Sequence, residues 1–220
     1  MTQRVYRLAS VANVVSAAAV AAVLALAGCS STPPDRFYSL ATGMGAPTAH
    51  SGAAPGYYVE IPAVTVPQQV ARKQLVVVTD GRMDLLEQDL WTSPPAAEIG
   101  QALSQVVTGA LGAVDVFRTP TPEGATVYRI STNVQRFESA PGKYALLDAV
   151  WSVRRVGSPQ VLTCRTVASE TVGAGNEGLV AGHRRAVARL GADVATAVRA
   201  LAANGSAACP VASSAPAAQS

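Results

Sequence analysis

Tyr128-Arg129-Ile130-Ser131-Thr132-Asn133-Val134 puts Tyr128, Ile130, Thr132 and Val134 on one side and polar groups on the other. This period of two is that of a half-buried strand. The same alternation recurs at Ala145, Leu147, Ala149, Trp151 and Val153, after an Ala140-Pro141-Gly142 turn. It returns a third time after Gly157-Ser158-Pro159, with Leu162, Cys164, Thr166 and Ala168 sharing a face. Three long alternating strands with tight turns predict an antiparallel meander. After it, Leu179, His183, Val187, Leu190, Val194, Val198 and Leu201 recur at helical spacing, predicting a helix from Asn176-Glu177 to near Ala203 with Arg185, Arg189, Asp193 and Arg199 on its wet face. Arg189 and Asp193 stand as an i,i+4 pair.

Upstream of the meander, Ile99, Leu103, Val106, Val107, Ala110 and Leu111 form a second helical stripe. Ser93 is the expected N-cap, Pro94 the first helical residue and Gly112 the stop. Val114 to Phe117 reads as a strand, followed by a loop over 119–124. Before the helix, 57–66 alternate as a strand with Pro62 at an edge or bulge. Gln74 to Thr79 form a β-branched run, Asp80-Gly81 a tight turn, and Met83 to Leu86 a short return strand. The expected fold is α+β, a mainly antiparallel sheet with two helices packed on one face.

The first 28 residues read differently. Arg4 and Arg7 precede an apolar run from Val11 to Ala27, the make-up of a secretory signal peptide. Leu26-Ala27-Gly28-Cys29 resembles the bacterial lipobox, in which the cysteine is diacylated and becomes the new N-terminus. An ordinary signal peptide with a chance cysteine, or an uncleaved anchor, are the plainer alternatives. Cleavage before Cys29 takes 28 residues from 220 and leaves 192; it also removes Arg4 and Arg7, so 17 basic residues become 15 against 14 acids. That balance gives no case for nucleic acid as a partner. Ser30, not Asp, follows Cys29, which by the usual sorting rule directs a lipoprotein to the outer membrane, facing the periplasm. Residues 29–56 are expected to be a flexible tether, 57–203 the folded domain and 204–220 a disordered tail. About 25 flexible residues span on the order of 25–30 Å. Within the tether, Arg36 to Leu40 is a strand-like island that either docks on the sheet or serves a partner as a peptide. With Cys29 taking lipid, Cys164 and Cys209 are an even pair in an oxidising compartment and are expected to form a disulfide; two free thiols are the alternative.

Chemistry is sparse. His50 and His183 lie too far apart in the chain for a zinc site, and His183 is expected at the margin of the core. Arg184-Arg185 fits a solvated face or a phosphate headgroup site. There is no Gly-x-Ser-x-Gly elbow. Asp84, Glu87, Asp89 and Glu98 cluster near the first helix start, where Glu98 suits the helix dipole. Gly173, Gly175 and Gly178 imitate a dinucleotide fingerprint but lie outside any βαβ unit. No catalytic residue, cofactor or metal is expected, and the chain is read as a non-enzyme.

In order along the chain stand Leu26-Ala27-Gly28-Cys29, Phe37-Tyr38-Ser39-Leu40, Val64-Thr65-Val66-Pro67, Leu90-Trp91-Thr92-Ser93-Pro94, Val134-Gln135-Arg136-Phe137 leading into the Lys143–Arg154 strand, and a long final helix. Together they resemble the PqiC-like, or ABC-type transport auxiliary, outer-membrane lipoproteins. The resemblance implies an accessory role in intermembrane lipid transport. The implied partner is a PqiB-like, periplasm-spanning MCE-domain (mammalian cell entry-type) protein with an inner-membrane transporter component. It also implies a ring-shaped homo-oligomer. Leu90, Trp91 and Pro94 are the candidates for a partner interface. The structural alternative is that Leu90 and Trp91 staple the helix to the sheet.

Overall fold

The computed structural model describes residues 33–44 and 55–210. The signal peptide, Cys29, and residues 45–54 and 211–220 lie outside the described residues. The body that begins at Asp35 contains two sheets and two long helices.

The meander forms as its alternation dictates. Strands β5 (Thr126–Ala140), β6 (Tyr144–Arg155) and β7 (Leu162–Thr171) pair antiparallel, with Ile130 opposite Val153 and Trp151 opposite Cys164. A bulge between Val134 and Arg136 resets the alternation, so that Phe137 and Ser139 turn inward. The strand β2 (Tyr57–Glu60) adds to β5 in parallel, making the order β2-β5-β6-β7.

The expected strand over 57–66 is therefore shorter. Pro62 has no N–H, the Ile61 N–H turns to the Asp115 carboxylate at 3.3 Å, and pairing resumes only at Thr65 opposite Asn133. Val114 to Phe117 is not a regular strand either. It bridges Val59 through Asp115, whose carboxylate also accepts the Phe117 N–H at 3.0 Å and the Ser104 hydroxyl at 2.7 Å, bending the chain away.

The second sheet has the order β1-β4-β3. Strands β3 (Gln74–Thr79) and β4 (Arg82–Trp91) form a hairpin whose turn residues, Asp80 and Gly81, both have positive φ, at 49° and 78°. β4 outruns the expected Met83–Leu86 because β1 (Arg36–Tyr38) pairs with its last residues in parallel, Phe37 opposite Leu90 and Tyr38 opposite Trp91. The island in the tether is thus part of the body, and the fold has two mixed sheets where one mainly antiparallel sheet was expected.

Helix α1 (Pro95–Leu111) ends at Gly112 in the left-handed conformation, φ 65°. Helix α2 (Asn176–Asn204) crosses β5, β6 and β7 and packs against α1, so the helices cover the inner face together. Close packing here relies on glycine. A Cβ on Gly182 would meet the Ala145 Cβ at 2.8 Å and the Val172 side chain, and one on Gly191 would collide with Val106 on α1. Trp151 donates to the Thr166 hydroxyl at 3.0 Å, and Thr166 donates to Asp193 at 2.6 Å, joining β6, β7 and α2 beneath the helix. A disulfide joins Cys164 on β7 to Cys209, with Cα atoms 5.5 Å apart, so the chain beyond α2 is pinned to the sheet as far as Pro210.

Candidate functional site

The polar centre of the molecule is one carboxylate. Glu98 is 1% exposed, in the first turn of α1. The helix begins at Pro95 with Pro94 at its cap, and no side chain caps it, so Ser93 is not the N-cap expected. Glu98 is the fourth helical residue, one past the position from which a capping-box glutamate reaches back, and Pro94 has no N–H to offer it. Glu98 instead takes the Ser93 N–H at 3.0 Å and the Thr92 hydroxyl. Its other oxygen accepts the Leu40 N–H at 2.8 Å and the Ser39 hydroxyl at 2.9 Å. Four donors satisfy the buried charge, which burial would otherwise penalise heavily. Through this group the Phe37-Tyr38-Ser39-Leu40 motif meets the Leu90-Trp91-Thr92-Ser93-Pro94 motif. Sequence reasoning assigned Glu98 only to the helix dipole.

More contacts fasten the same segment. Arg36 grips Asp89 with two nitrogens, at 2.8 and 3.0 Å, and the Tyr38 hydroxyl donates to Asp89 at 3.0 Å. Burial alone would raise the Asp89 carboxyl, but hydrogen bonds from Asn176, Tyr38 and Arg36 outweigh it and hold the group below the ordinary carboxylate range. Burial, then the bond to Asp89, pushes the Tyr38 phenol up to about 12. Arg184 on α2 donates to the Ser39 carbonyl at 2.6 and 3.1 Å. Arg185 binds Glu170 and the Thr171 carbonyl. Both arginines are therefore committed to the protein's own acceptors.

Beneath this network lies an aromatic stack. Trp91 is 2% exposed and sits 6.1 Å from Phe137 and 6.3 Å from His183, ring centre to ring centre. It packs inside the body, as a staple would, and presents no surface to a partner. Leu90 is half-buried in β4 and Pro94 is exposed. His183 is wholly buried, not at the core margin, and stacks on Phe137 at 4.0 Å. Burial pushes its pKa down to about 3. Its Nε2 lies 2.8 Å from the Ser139 hydroxyl, while Nδ1 has no partner. The Ser139–His183 pair resembles a nucleophile and base in outline only. Burial disfavours the imidazolium that a general base must become, and Ser139 is itself buried, with no open path to a substrate.

Elsewhere, Tyr57, Thr126, Tyr128, Arg155, Arg199 and Ala202 line an open cleft of about 540 Å³, where the two tyrosine rings meet edge to face at 5.4 Å. Arg199 is held there by the Ala110 carbonyl. Among the described residues no group of three or more His, Cys, Asp or Glu could hold a metal ion, and no helix is long and apolar enough to cross a membrane.

No curated protein matches the chain. Among solved structures, the crystal structure of an uncharacterised protein aligns with a TM-score of 0.59 at 15% identity, covering 75% of this chain and 99% of the other. That likeness is one of fold. A protein from Xanthomonas campestris aligns with a TM-score of 0.49 at 13% identity, over 65% of this chain and 85% of its own. The family model of the ABC-type transport auxiliary lipoprotein component matches residues 38–195. That match opens at Tyr38, inside the docked β1 segment, and takes in the Glu98 network, the meander and most of α2: the chain belongs to the ABC-type transport auxiliary lipoprotein family.

Proposed function

We propose that this protein is an outer-membrane-anchored periplasmic lipoprotein that serves an MCE-type, PqiABC-like intermembrane lipid transport system, docking a PqiB-like MCE-domain protein at the outer membrane. Cys29 carries the lipid, and Ser30 directs it to the outer membrane, facing the periplasm. The body works as a non-enzymatic adaptor, assembled as a homo-oligomeric ring, with the exposed Pro94 at the start of α1 in the partner interface.

The observation that carries this reading is the fastening of the anchor-proximal strand. Glu98, Asp89 and Arg184 bind β1 and the residues after it into the body. Only residues 30–35 separate Cys29 from that strand. A load applied at the acyl group passes straight into the fold, as a docking component needs and a freely ranging binding protein does not. In-cell crosslinking of the acylated protein, followed by purification from the outer-membrane fraction and mass spectrometry, tests the proposal. An MCE-domain protein enriched with phospholipid is the expected result. Enrichment of a secretion or cell-wall assembly would make this a structural lipoprotein of another envelope machine.

A further inference from the structure

Three of the large apolar side chains that stay exposed belong to the three-stranded sheet: Phe37 at 61%, Met83 at 45% and Leu85 at 43%. Met83 and Leu85 stand opposite Val78 and Val76, on the side of β4 away from Asp84 and Leu86. Phe37 stands opposite Leu90, and the register shift between Gln74 and Leu75, whose partners jump from Leu90 to Leu86, returns Leu90 and Phe37 to the side of Met83 and Leu85, away from the buried Trp91. At the same end of the sheet the Trp91 N–H donates to the Lys73 carbonyl at 2.6 Å, and Arg72 and Lys73 are exposed there. An apolar row beside exposed cations suits the boundary between acyl chains and anionic headgroups.

Chain length decides the occupant. Seven virtual bonds link Cys29 to Arg36, a reach of at most about 24 Å fully extended and about 15 Å on average for a flexible segment. Arg36 and Tyr38 are fixed to Asp89, so this reach cannot grow by peeling off β1 without breaking that network.

We infer that the outer face of the small sheet rests on the membrane leaflet that holds the acyl chains, with Phe37, Met83 and Leu85 entering the headgroup boundary. This rests on the acylation of Cys29 proposed above and adds the orientation of the body. The sheet face is the second membrane signal that a lipid anchor needs for firm attachment. It also turns the four-stranded sheet and its edge β7 to other partners.

The acylated mature protein carrying Phe37→Trp, reconstituted in phosphatidylethanolamine–phosphatidylglycerol vesicles with brominated acyl chains, tests the contact. Trp91 and Trp151 are buried and give the background from the parent protein. The added emission is expected to shift to the blue and to be quenched at least twofold. Unshifted, unquenched emission would overturn the inference. In parallel, the mature chain with Cys29→Ser is floated with the same vesicles. Adding Phe37→Ser, Met83→Ser and Leu85→Ser together is expected to lower partition at least tenfold, whereas Val161→Ser with Val167→Ser leaves it within twofold. If the triple variant changes oligomeric state and not partition, the face joins copies of this chain and the inference fails. Co-purification of an MCE-domain protein does not depend on either outcome, so the docking proposal stands or falls separately.

Discussion

The two sheets of this protein are held together in opposite ways. The four-stranded sheet is built largely from neighbours in the chain: β5, β6 and β7 follow one another through short turns, and their alternate residues fill the core under α2. The three-stranded sheet recruits β1 from 53 residues away and fastens it with charge and hydrogen bonds, Arg36 and Tyr38 to Asp89, Ser39 and Leu40 to Glu98. The first arrangement tolerates loss of one polar contact, because apolar area is spread over many side chains. The second concentrates its stability in a few buried polar groups, each costly to orphan.

Substitutions should therefore separate the sheets. Trp91→Ala removes a β4 side chain packed against both Phe137 of the larger sheet and His183, and is expected to lower stability by about 3–5 kcal/mol in urea denaturation. Glu98→Gln keeps the volume but turns an amide donor toward four donors. A loss of roughly 2–3 kcal/mol is expected, and limited proteolysis should then cut first near Ser39, leaving the meander intact. A variant that loses the stability but keeps uniform protection would break the comparison.

Acid offers a third probe, aimed at the stack. His183 titrates near 3 in the fold and near 6.5 in the unfolded chain, so between those values the unfolded state takes up a proton that the fold refuses. Stability should fall as pH drops below about 6.5, with a slope approaching about 1.4 kcal/mol per pH unit. Asp89 and Asp148 are held below the ordinary carboxylate range and add their own losses only at still lower pH. The interval from about pH 6 to 5 thus isolates the histidine, and His183→Gln should flatten the profile there. Smallest of the set, Gly191→Ala drives a methyl into Val106 and is expected to cost about 1–2 kcal/mol, partly offset by better helix propensity of about 1 kcal/mol. It loosens the α1–α2 contact and leaves the Glu98 network untouched.

How far the sequence could be read follows the same division. The alternation from Tyr128 to Val134 and from Ala145 to Val153, and the stripe from Leu179 to Val198, are local patterns, and they became the strands and helix expected. Ile99, Leu103 and Gly112 likewise placed α1. Partners distant in the chain were the opaque part. Nothing in Arg36-Phe37-Tyr38 states that it pairs in parallel with Asp89-Leu90-Trp91, and nothing around Glu98 states that its carboxylate meets Ser39 and Leu40. His183 was placed at the margin because a polar side chain on an apolar stripe ordinarily sits there; its neutral form, stacked on Phe137, lets it go deeper. Two sheets were read as one for the same reason, since the parallel pairings that close them are nonlocal.

The most direct test is native-state hydrogen exchange of the mature protein, followed at the Leu40 amide. That group donates to Glu98 at 2.8 Å and lies just beyond β1. The account predicts protection close to that of β6 core amides such as Leu147, and its selective collapse in Glu98→Gln. A Leu40 amide that exchanges in the parent protein at the rate of an unstructured peptide would mean that β1 is not part of the body, and would contradict the account.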